Sequence, residues 1–345
     1  MQTIKPVVSI IVAAHNGTEI TIECLKSLSR QDFQPLEIIL VDNGSPENLA
    51  KIAAADFPHV TTITLPRNRG FAAGYNTGIR AAAGKFIAII NNDAIADSNW
   101  ISTLVAAAEN NPDAGTVTSP IFDGNRPDVL DSFGIGLALD GMSRQCLKGK
   151  GLPTVSGPEE ILIASGCACL FRREALAEVG LFDEDFFAYC EDTDLGLRMQ
   201  WAGYRTLIVP GTRVVHYYSR TLGKYNPKKV YLVERNHLWA AAKNFPLLLL
   251  PLVPVFTLWR YILVLWYARN TSSEMGRFVG NTPLSEMVMS VLKAYLAGFC
   301  RMPSMFRKRV KDRSRRKIGS IAMMKKIFRF KLPMKRILLG DDDAG

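Results

Sequence analysis

Two spacings of apolar residues alternate along the first 120 residues. Short, nearly unbroken apolar runs at Val7–Ala14 (VVSIIVAA), Leu36–Val41 (LEIILV), Val60–Leu65 and Lys85–Ile90 predict strands covered on both faces. Between them the period lengthens to that of a helix. Thr18 is placed to cap a helix carrying Ile22, Leu25 and Leu28 on one side. Phe71–Ala83 and Ser98–Glu109 predict two more helices, and Gly115–Pro120 a further short strand. Gly70, Gly74 and Gly78 recur every four residues, unlike a GxGxxG dinucleotide fingerprint. Gly74 and Gly78 read as close helix-to-sheet packing. Gly70 reads as a turn glycine that exposes backbone N–H groups to an anion.

The repeat of strand and helix predicts an α/β fold with a doubly wound, mainly parallel, Rossmann-like sheet. Ligands of such sheets bind beyond the carboxyl ends of the strands. Ala13, Asp42 and the triplet Asn91-Asn92-Asp93 fall at those ends. Asn16 follows the first strand, and Arg69 and Gly70 follow the third.

Residues 121–160 show weak periodicity and many Gly and Pro, and are expected to form a loop-rich insert. Order returns at Ile161–Phe171 and a helix over Arg172–Val179. Next come Asp183-Glu184-Asp185, the aromatics Phe186, Phe187 and Tyr189, and Glu191-Asp192-Thr193-Asp194. A helix is predicted from about Thr193 to Ala202, ended by Gly203. Thr206–Val209 and Thr212–His216 flank a Pro210-Gly211 turn.

Charge divides the chain. Residues 301–345 hold 15 Lys/Arg against 4 Asp, while the remainder holds 27 basic and 28 acidic residues. A neutral body argues against nucleic-acid binding, and the basic tail is expected to meet anionic lipid. Six scattered cysteines suggest neither a zinc site nor a disulfide framework, which fits a reducing compartment. The N-terminus runs into a strand with no apolar leader, so secretion is not expected.

Phe245–Ala268 is almost wholly apolar and long enough for a bilayer core. Pro246, Pro251, Pro254 and a central Arg260, costing at least about 2.5 kcal/mol in lipid, speak against a simple span. A single span would also part the tail from a cytoplasmic nucleotide site. The expectation is an interfacial or re-entrant segment, or a helix paired with Leu284–Phe299, at the cytoplasmic face of the inner membrane. Residues 1–230 would then be the catalytic domain, 231–300 the membrane-associating region and 301–345 the basic tail.

The acidic and amide residues at the strand ends suit transfer of a sugar from a nucleoside diphosphate. Asp93 offers a carboxylate to a hard cation, Mg²⁺ or Mn²⁺, that would neutralise the leaving diphosphate. Asn91 and Asn92 lie nearer the ribose. His216 is a candidate second ligand that would tilt the choice toward Mn²⁺. Asp42 reads either as a contact for the nucleobase and ribose or as a turn residue. Asp192 is the candidate general base, its pKa raised by Glu191 and Asp194 nearby. Asp194 also fits as a helix-capping acid. Glu191 and Tyr189 are assigned to the acceptor side. Phe186 and Phe187 read equally as acceptor wall or core.

These residues carry a resemblance. Val8–Asn16 (VSIIVAAHN), Glu37–Ser45 (EIILVDNGS), Asn68–Gly78 (NRGFAAGYNTG), Ile90–Ala94 (INNDA), Ile163–Arg173 and Gly180–Tyr204 together resemble glycosyltransferase family 2, GT-A fold, in its rhamnosyltransferase-like branch. The resemblance spans roughly residues 5–245. It implies inverting transfer by direct displacement, with Asp42 at the base, Asp93 ending a DxD-type motif, Asp192 as base and His216 on the metal. The motif departs from the family in keeping one carboxylate, and His15 replaces a frequent aromatic residue. dTDP-rhamnose is the donor the branch suggests, with UDP-hexoses next, and a lipid-linked or surface glycan is the acceptor. A sugar-nucleotide pyrophosphorylase would want basic residues where His15-Asn16-Gly17 stands. A non-catalytic nucleotide-sugar-binding subunit would not need Asp93 and Asp192. Nothing in the sequence sets the oligomeric state.

Overall fold

The computed structural model describes residues 5–217, 226–268 and 283–339. The N-terminal residues 1–4 and the acidic end of the tail, 340–345, lie outside them.

Strands β1 (Val8–Ala14), β2 (Leu36–Asp42), β3 (Val60–Thr64) and β4 (Phe86–Asn91) follow the predicted apolar runs, and each adjacent pair among them is parallel. Their side chains alternate between two cores. Val8, Ile10, Val12 and Ala14 of β1 pack with Cys24, Leu25 and Leu28 of α1 (Thr18–Leu28). The same face takes Leu49 of α2 (Leu49–Asp56) and Trp100 of α4 (Trp100–Asn110). Ile11 points the other way, against Tyr75 and Ile79 of α3 (Gly70–Ala81). This is the doubly wound arrangement, and it accounts for the nearly unbroken apolar runs of β1, β2 and β4.

The packing glycines behave as expected. A Cβ on Gly78 would stand 2.4 Å from Ile11 Cγ2, and one on Gly74 would stand 3.1 Å from Ala13 Cβ. Small residues let α3 lie close on β1.

The main sheet has eight strands, in the order β11-β13-β6-β12-β4-β1-β2-β3. Parallel β6 (Ala114–Thr118) and β13 (Arg205–Ile208) extend it, and β11 (Glu159–Ile161) closes the edge. β12 (Ala168–Arg172) is inserted antiparallel between β4 and β6. Helices α5 (Arg173–Val179) and α6 (Glu191–Trp201) cover its far face.

Residues 121–160 depart from the expected loop. They contain β7 (Ile121–Asp123), β8 (Arg126–Ser132), β9 (Ile135–Leu137) and β10 (Ser143–Gln145). A second sheet runs β5-β14-β7-β8, where β5 is Ala94–Ala96 and β14 is Val214–His216. The strands flanking Pro210-Gly211 are therefore in different sheets rather than one hairpin.

Beyond α7 (Pro227–Asn244), helices α8 (Leu252–Ala268) and α9 (Leu284–Cys300) occupy the expected apolar segments. Among the described residues no helix is long and apolar enough to cross a membrane. Arg260 meets no lipid. It is buried between Glu234, at 2.7 and 2.8 Å, and Asp140, at 2.7 Å.

The basic segment is not a free tail over the described residues. It folds as α10 (Met302–Asp312), α11 (Ser320–Arg329) and α12 (Met334–Leu339). Met323 and Ile327 enter a core with Leu162, Leu197 and Trp201. Many of its cations meet the body: Lys308 with Asp183 and Asp185, Lys317 with Glu178, Lys326 with Glu160. Arg309 and Arg316 donate to the last carbonyls of α7, where a helix C-terminus favours cations.

Candidate active site

β-sheet register assembles the first half of the site. Ala13 lies opposite Val41 and Asn91, and Ala14 opposite Asp42, so the predicted edge is real. In the second sheet His216 pairs with Ala94, the residue after Asp93. His216 Nε2 consequently stands 3.2 Å from Asp93 Oδ1, with both residues buried. Its Nδ1 lies 2.8 Å from Asp131 Oδ2, and Asp131 is also paired with Lys148.

Asp131 and Lys148 come from the stretch expected to form a loop-rich insert. Burial alone would raise the Asp131 pKa. The His216 hydrogen bond and the Lys148 ammonium outweigh it, so the carboxyl sits below its ordinary range. Burial likewise opposes a proton on His216. Cys167, Asp131 and Asp93 overcome it and hold the imidazole well above 6.5. Without a cation, imidazolium bridging two carboxylates is the favoured form.

The pair fits a divalent ion. Two cis ligands of an octahedral ion at about 2.1 Å lie roughly 3.0 Å apart, close to the 3.2 Å between Asp93 and His216. Asp131 holds the imidazole so that Nε2 faces Asp93, as carboxylates do behind metal-ligating histidines. Among the described residues no group of three His, Cys, Asp or Glu side chains is arranged as a complete metal cage. Phosphate oxygens and water would have to complete the shell, which is usual for ions that carry nucleotides.

The amides at the edge are structural ties. Asn92 Nδ2 donates to Asn16 O and Thr21 Oγ1, both at 2.9 Å, and joins β4 to the β1–α1 loop. Asn91 Oδ1 accepts from Tyr75 Oη at 3.2 Å. Asp42 is buried, and both its oxygens are used within the turn. They accept from Ser45 N at 2.7 Å, Ser45 Oγ at 3.0 Å and Ala50 N at 3.1 Å. These bonds fill the turn role and leave acceptor capacity on the carboxylate, so the two readings of Asp42 are compatible.

Arg69 turns its guanidinium to Glu184 at 3.0 Å. Gly70 does not present its N–H to an anion, because Asn68 Oδ1 accepts it at 2.8 Å. The glycine is needed for another reason. Its φ is +84°, and an added Cβ would stand 2.4 Å from Phe187 O.

The second half of the site is the loop entering α6. Asp192 Oδ2 accepts from Gly166 N at 3.2 Å, and Oδ1 from Thr193 N at 2.7 Å. Burial raises its pKa against these bonds. Glu191 is buried, its Oε2 lacks a protein partner, and burial beside Asp192 pushes its pKa well up. Asp194 does not share in this. It is locked to Arg198 at 2.9 Å, Lys243 at 2.8 Å and Asn244 at 2.8 Å, and those cations outweigh burial to hold its pKa well down.

Phe186 is fully buried edge-on against Trp239, so it is core rather than acceptor wall. Phe187 and Tyr189 remain half-buried. Their loop is strained: Phe187, Tyr189 and Cys190 have φ of 66°, 69° and 64°. The residue that holds it went unpredicted. Asn236, wholly buried on α7, donates to Phe186 O at 3.0 Å, Ala188 O at 2.8 Å and Tyr189 O at 2.7 Å. The available signal was the polar run Glu234–His237 between the apolar stretches Leu232-Val233 and Leu238–Ala242.

A large, mainly parallel sheet with the acid–imidazole pair beyond its carboxyl edge is the architecture of GT-A glycosyltransferases. Residues 9–180 match the model of glycosyl transferase family 2, and the chain belongs to that family. It is 25% identical over 279 residues to an N-acetylglucosaminyl-diphospho-decaprenol L-rhamnosyltransferase of Mycobacterium tuberculosis, covering 69% of this chain and 87% of that one. It is 24% identical to the poly-beta-1,6-N-acetyl-D-glucosamine synthase of Staphylococcus aureus, covering 75% and 64%. The fold resembles GalNAc-T7 with UDP, GalNAc and Mn²⁺ (TM-score 0.59, 14% identity, 90% of this chain and 58% of that one). It also resembles the mannosyltransferase PcManGT of Pyrobaculum calidifontis with GDP-Man and Mn²⁺ (TM-score 0.51, 19% identity, 94% and 88%).

Proposed function

We propose that this enzyme moves a sugar, in the first instance rhamnose from dTDP-rhamnose, onto a lipid-linked glycan with inversion at the anomeric carbon. The observation that carries the reading is the Asp93–His216 pair, 3.2 Å apart and backed by Asp131, at the edge where a diphosphate would lie. A Mg²⁺ or Mn²⁺ ion held there would neutralise charge on the departing nucleoside diphosphate. Ala13, Asn16 and Asn91 line the nucleotide side.

Asp192 accepts the proton of the acceptor hydroxyl. That oxygen forms the new bond to the anomeric carbon as the bond to the diphosphate breaks. Gly166 N–H and Thr193 N–H orient Asp192, and a protonated Glu191 beside it leaves one negative charge in the pair. Lys228 and Lys229, over the rings of Phe187 and Tyr189 at 5.5 and 5.6 Å, suit an acceptor that is itself a diphosphate. The relative acting on a diphospho-decaprenol supports that choice. A UDP-hexose donor is the second reading, favoured by the N-acetylglucosamine polymer synthase among the relatives.

Asp192→Asn should abolish transfer to a lipid-linked acceptor while nucleotide-sugar affinity stays within about twofold, read by calorimetry. Asp93→Ala should weaken both. Full turnover in Asp192→Asn removes it as the base, and unchanged donor affinity in Asp93→Ala removes the metal site.

A further inference from the structure

Helix α8 is inverted relative to an ordinary surface helix. Its polar residues face the protein: Thr257 and Arg260 are buried, and Tyr261 Oη donates to Glu234 Oε2 at 2.9 Å. Its apolar residues face out. Leu258, Trp259, Leu265 and Trp266 are 50–70% exposed, and every outward position from Val255 to Trp266 is apolar. The Arg260 pairing with Glu234 and Asp140 sets this rotation, because turning the apolar face inward would strip a buried cation of both partners.

Helix α9 continues the pattern with Leu292, Leu296 and Phe299 at 59–68% exposure. The two helices meet where the Tyr261 and Tyr295 rings lie 6.3 Å apart. Each outward side chain leaves on the order of 100 Å² of apolar surface in water. Together they exceed the few hundred Å² that soluble monomers ordinarily expose.

We propose that α8 and α9 form a docking face that seats the protein on an anionic lipid bilayer, the helices lying in the interfacial layer rather than crossing it. Three observations choose lipid over a protein partner. The outward face of α8 offers no hydrogen-bonding rim, whereas protein interfaces mix polar and apolar groups. Trp259 and Trp266 are the amphipathic rings that settle at headgroup depth. Exposed cations accompany the apolar residues: Lys293 on α9, and Arg307 and Lys311 beside exposed Phe306 and Val310 on α10. Glu286 is the one acidic residue on α8 and α9. Arg307 and Lys311 are the part of the basic segment that faces out here, while Lys308, Lys317 and Lys326 are engaged by the body, so apolar contact rather than charge carries most of the binding. Binding should therefore survive salt. The proposal does not depend on which sugar is moved.

The test is flotation of the full chain with phosphatidylglycerol–phosphatidylethanolamine vesicles at low and high salt. The wild type should float at both, with only a few-fold loss at high salt. Leu258→Glu combined with Leu265→Glu should reduce partitioning at least tenfold while the circular dichroism spectrum and nucleotide-sugar affinity stay unchanged. Bromine-labelled lipid should quench wild-type tryptophan fluorescence, and Trp259→Phe with Trp266→Phe should remove that quenching while leaving the fold intact. The proposal is overturned if the wild type stays with the soluble fraction. It is equally overturned if high salt releases the protein completely, or if the glutamate variant still floats. A wild-type dimer that the glutamates dissociate, with no vesicle binding by either protein, would assign the face to a second copy instead. Donor affinity is read separately, so loss of docking and loss of the transferase reading are distinguishable.

Discussion

Asn236→Ala removes the carboxamide that holds the Phe186–Cys190 loop, proposed above to lie on the acceptor side. Its two amide hydrogens serve three carbonyls at 2.7–3.0 Å. At about 1 kcal/mol per net hydrogen bond, and somewhat more where a buried carbonyl is left bare, the loss is about 2–4 kcal/mol. Against this stands the strain of three non-glycine residues at positive φ, about 1 kcal/mol or more each. The two quantities are comparable, so the loop should relax locally before the protein unfolds. If about 2 kcal/mol falls on the loop, its competent form becomes about 30-fold rarer, and kcat should fall by about that factor. Donor affinity should stay within about twofold, because Asn236 bonds to nothing on the nucleotide side, and the melting temperature should drop by a few degrees. Steady-state kinetics with saturating donor, calorimetry of donor binding and a thermal melt separate these effects. Asn236→Asp, which keeps the size but turns acceptors toward three carbonyls, should be at least as damaging. A melting temperature lowered as described with kcat within about threefold of wild type would refute the positioning role.

Three further perturbations probe other parts of the site. Asp131→Asn should raise the Mn²⁺ concentration for half-maximal activity by about 10- to 100-fold, since the imidazole loses the charge behind it; an unchanged metal titration would detach Asp131 from the ion. Gly70→Ala should lower both the melting temperature and kcat, because a Cβ at φ +84° would stand 2.4 Å from Phe187 O, and Gly74→Ala, whose Cβ would meet nothing closer than 3.1 Å, should be milder in both. Asp194→Ala should cost about 3–5 kcal/mol in urea unfolding by leaving buried Arg198 without a carboxylate and Lys243 with Asp183 alone. The folded pKa of Asp194 lies below its unfolded value near 3.8, so its contribution is present above that pH and is lost as pH falls below it. The stability curve of Asp194→Ala should accordingly be flatter on the acid side, and an unaltered acid limb would count against the argument.

The parallel half of the sheet was legible because strands buried on both faces leave an unmistakable apolar run, as Val8–Ala14 and Phe86–Asn91 do. The strand-end position of Asp93 followed from that, and so did the joint edge with Ala13 and Asp42. What escaped was long-range pairing. Nothing near Asp131 marks it as the residue behind His216, since β8 and β14 meet only through β7. Between 121 and 160, β7, β9 and β10 have three residues each, too few to display a period, and β8 is exposed over its first half and buried over its second, so it does not alternate. Charge in the C-terminal segment was counted correctly but its partners were not, because Asp183, Glu178 and Glu160 lie more than a hundred residues away. Asp42 shows the opposite limit: a turn aspartate and a ligand-binding aspartate have the same local sequence, and its three internal hydrogen bonds are visible only in the fold.

The antiparallel strand β12 has a consequence for how such an enzyme can diversify. Cys167, just before it, accepts the backbone N–H of Asn91 at 2.7 Å, and its neighbour Gly166 donates to Asp192. One dipeptide thus fixes the spacing between the Asn91–Asp93 strand end and Asp192, which in the proposed reaction are the donor's end and the acceptor's. Loops on either side can change the sugar or the alcohol they admit without altering that spacing. Relatives that handle rhamnose and N-acetylglucosamine can then share one reaction geometry while differing in nearly everything that selects a substrate.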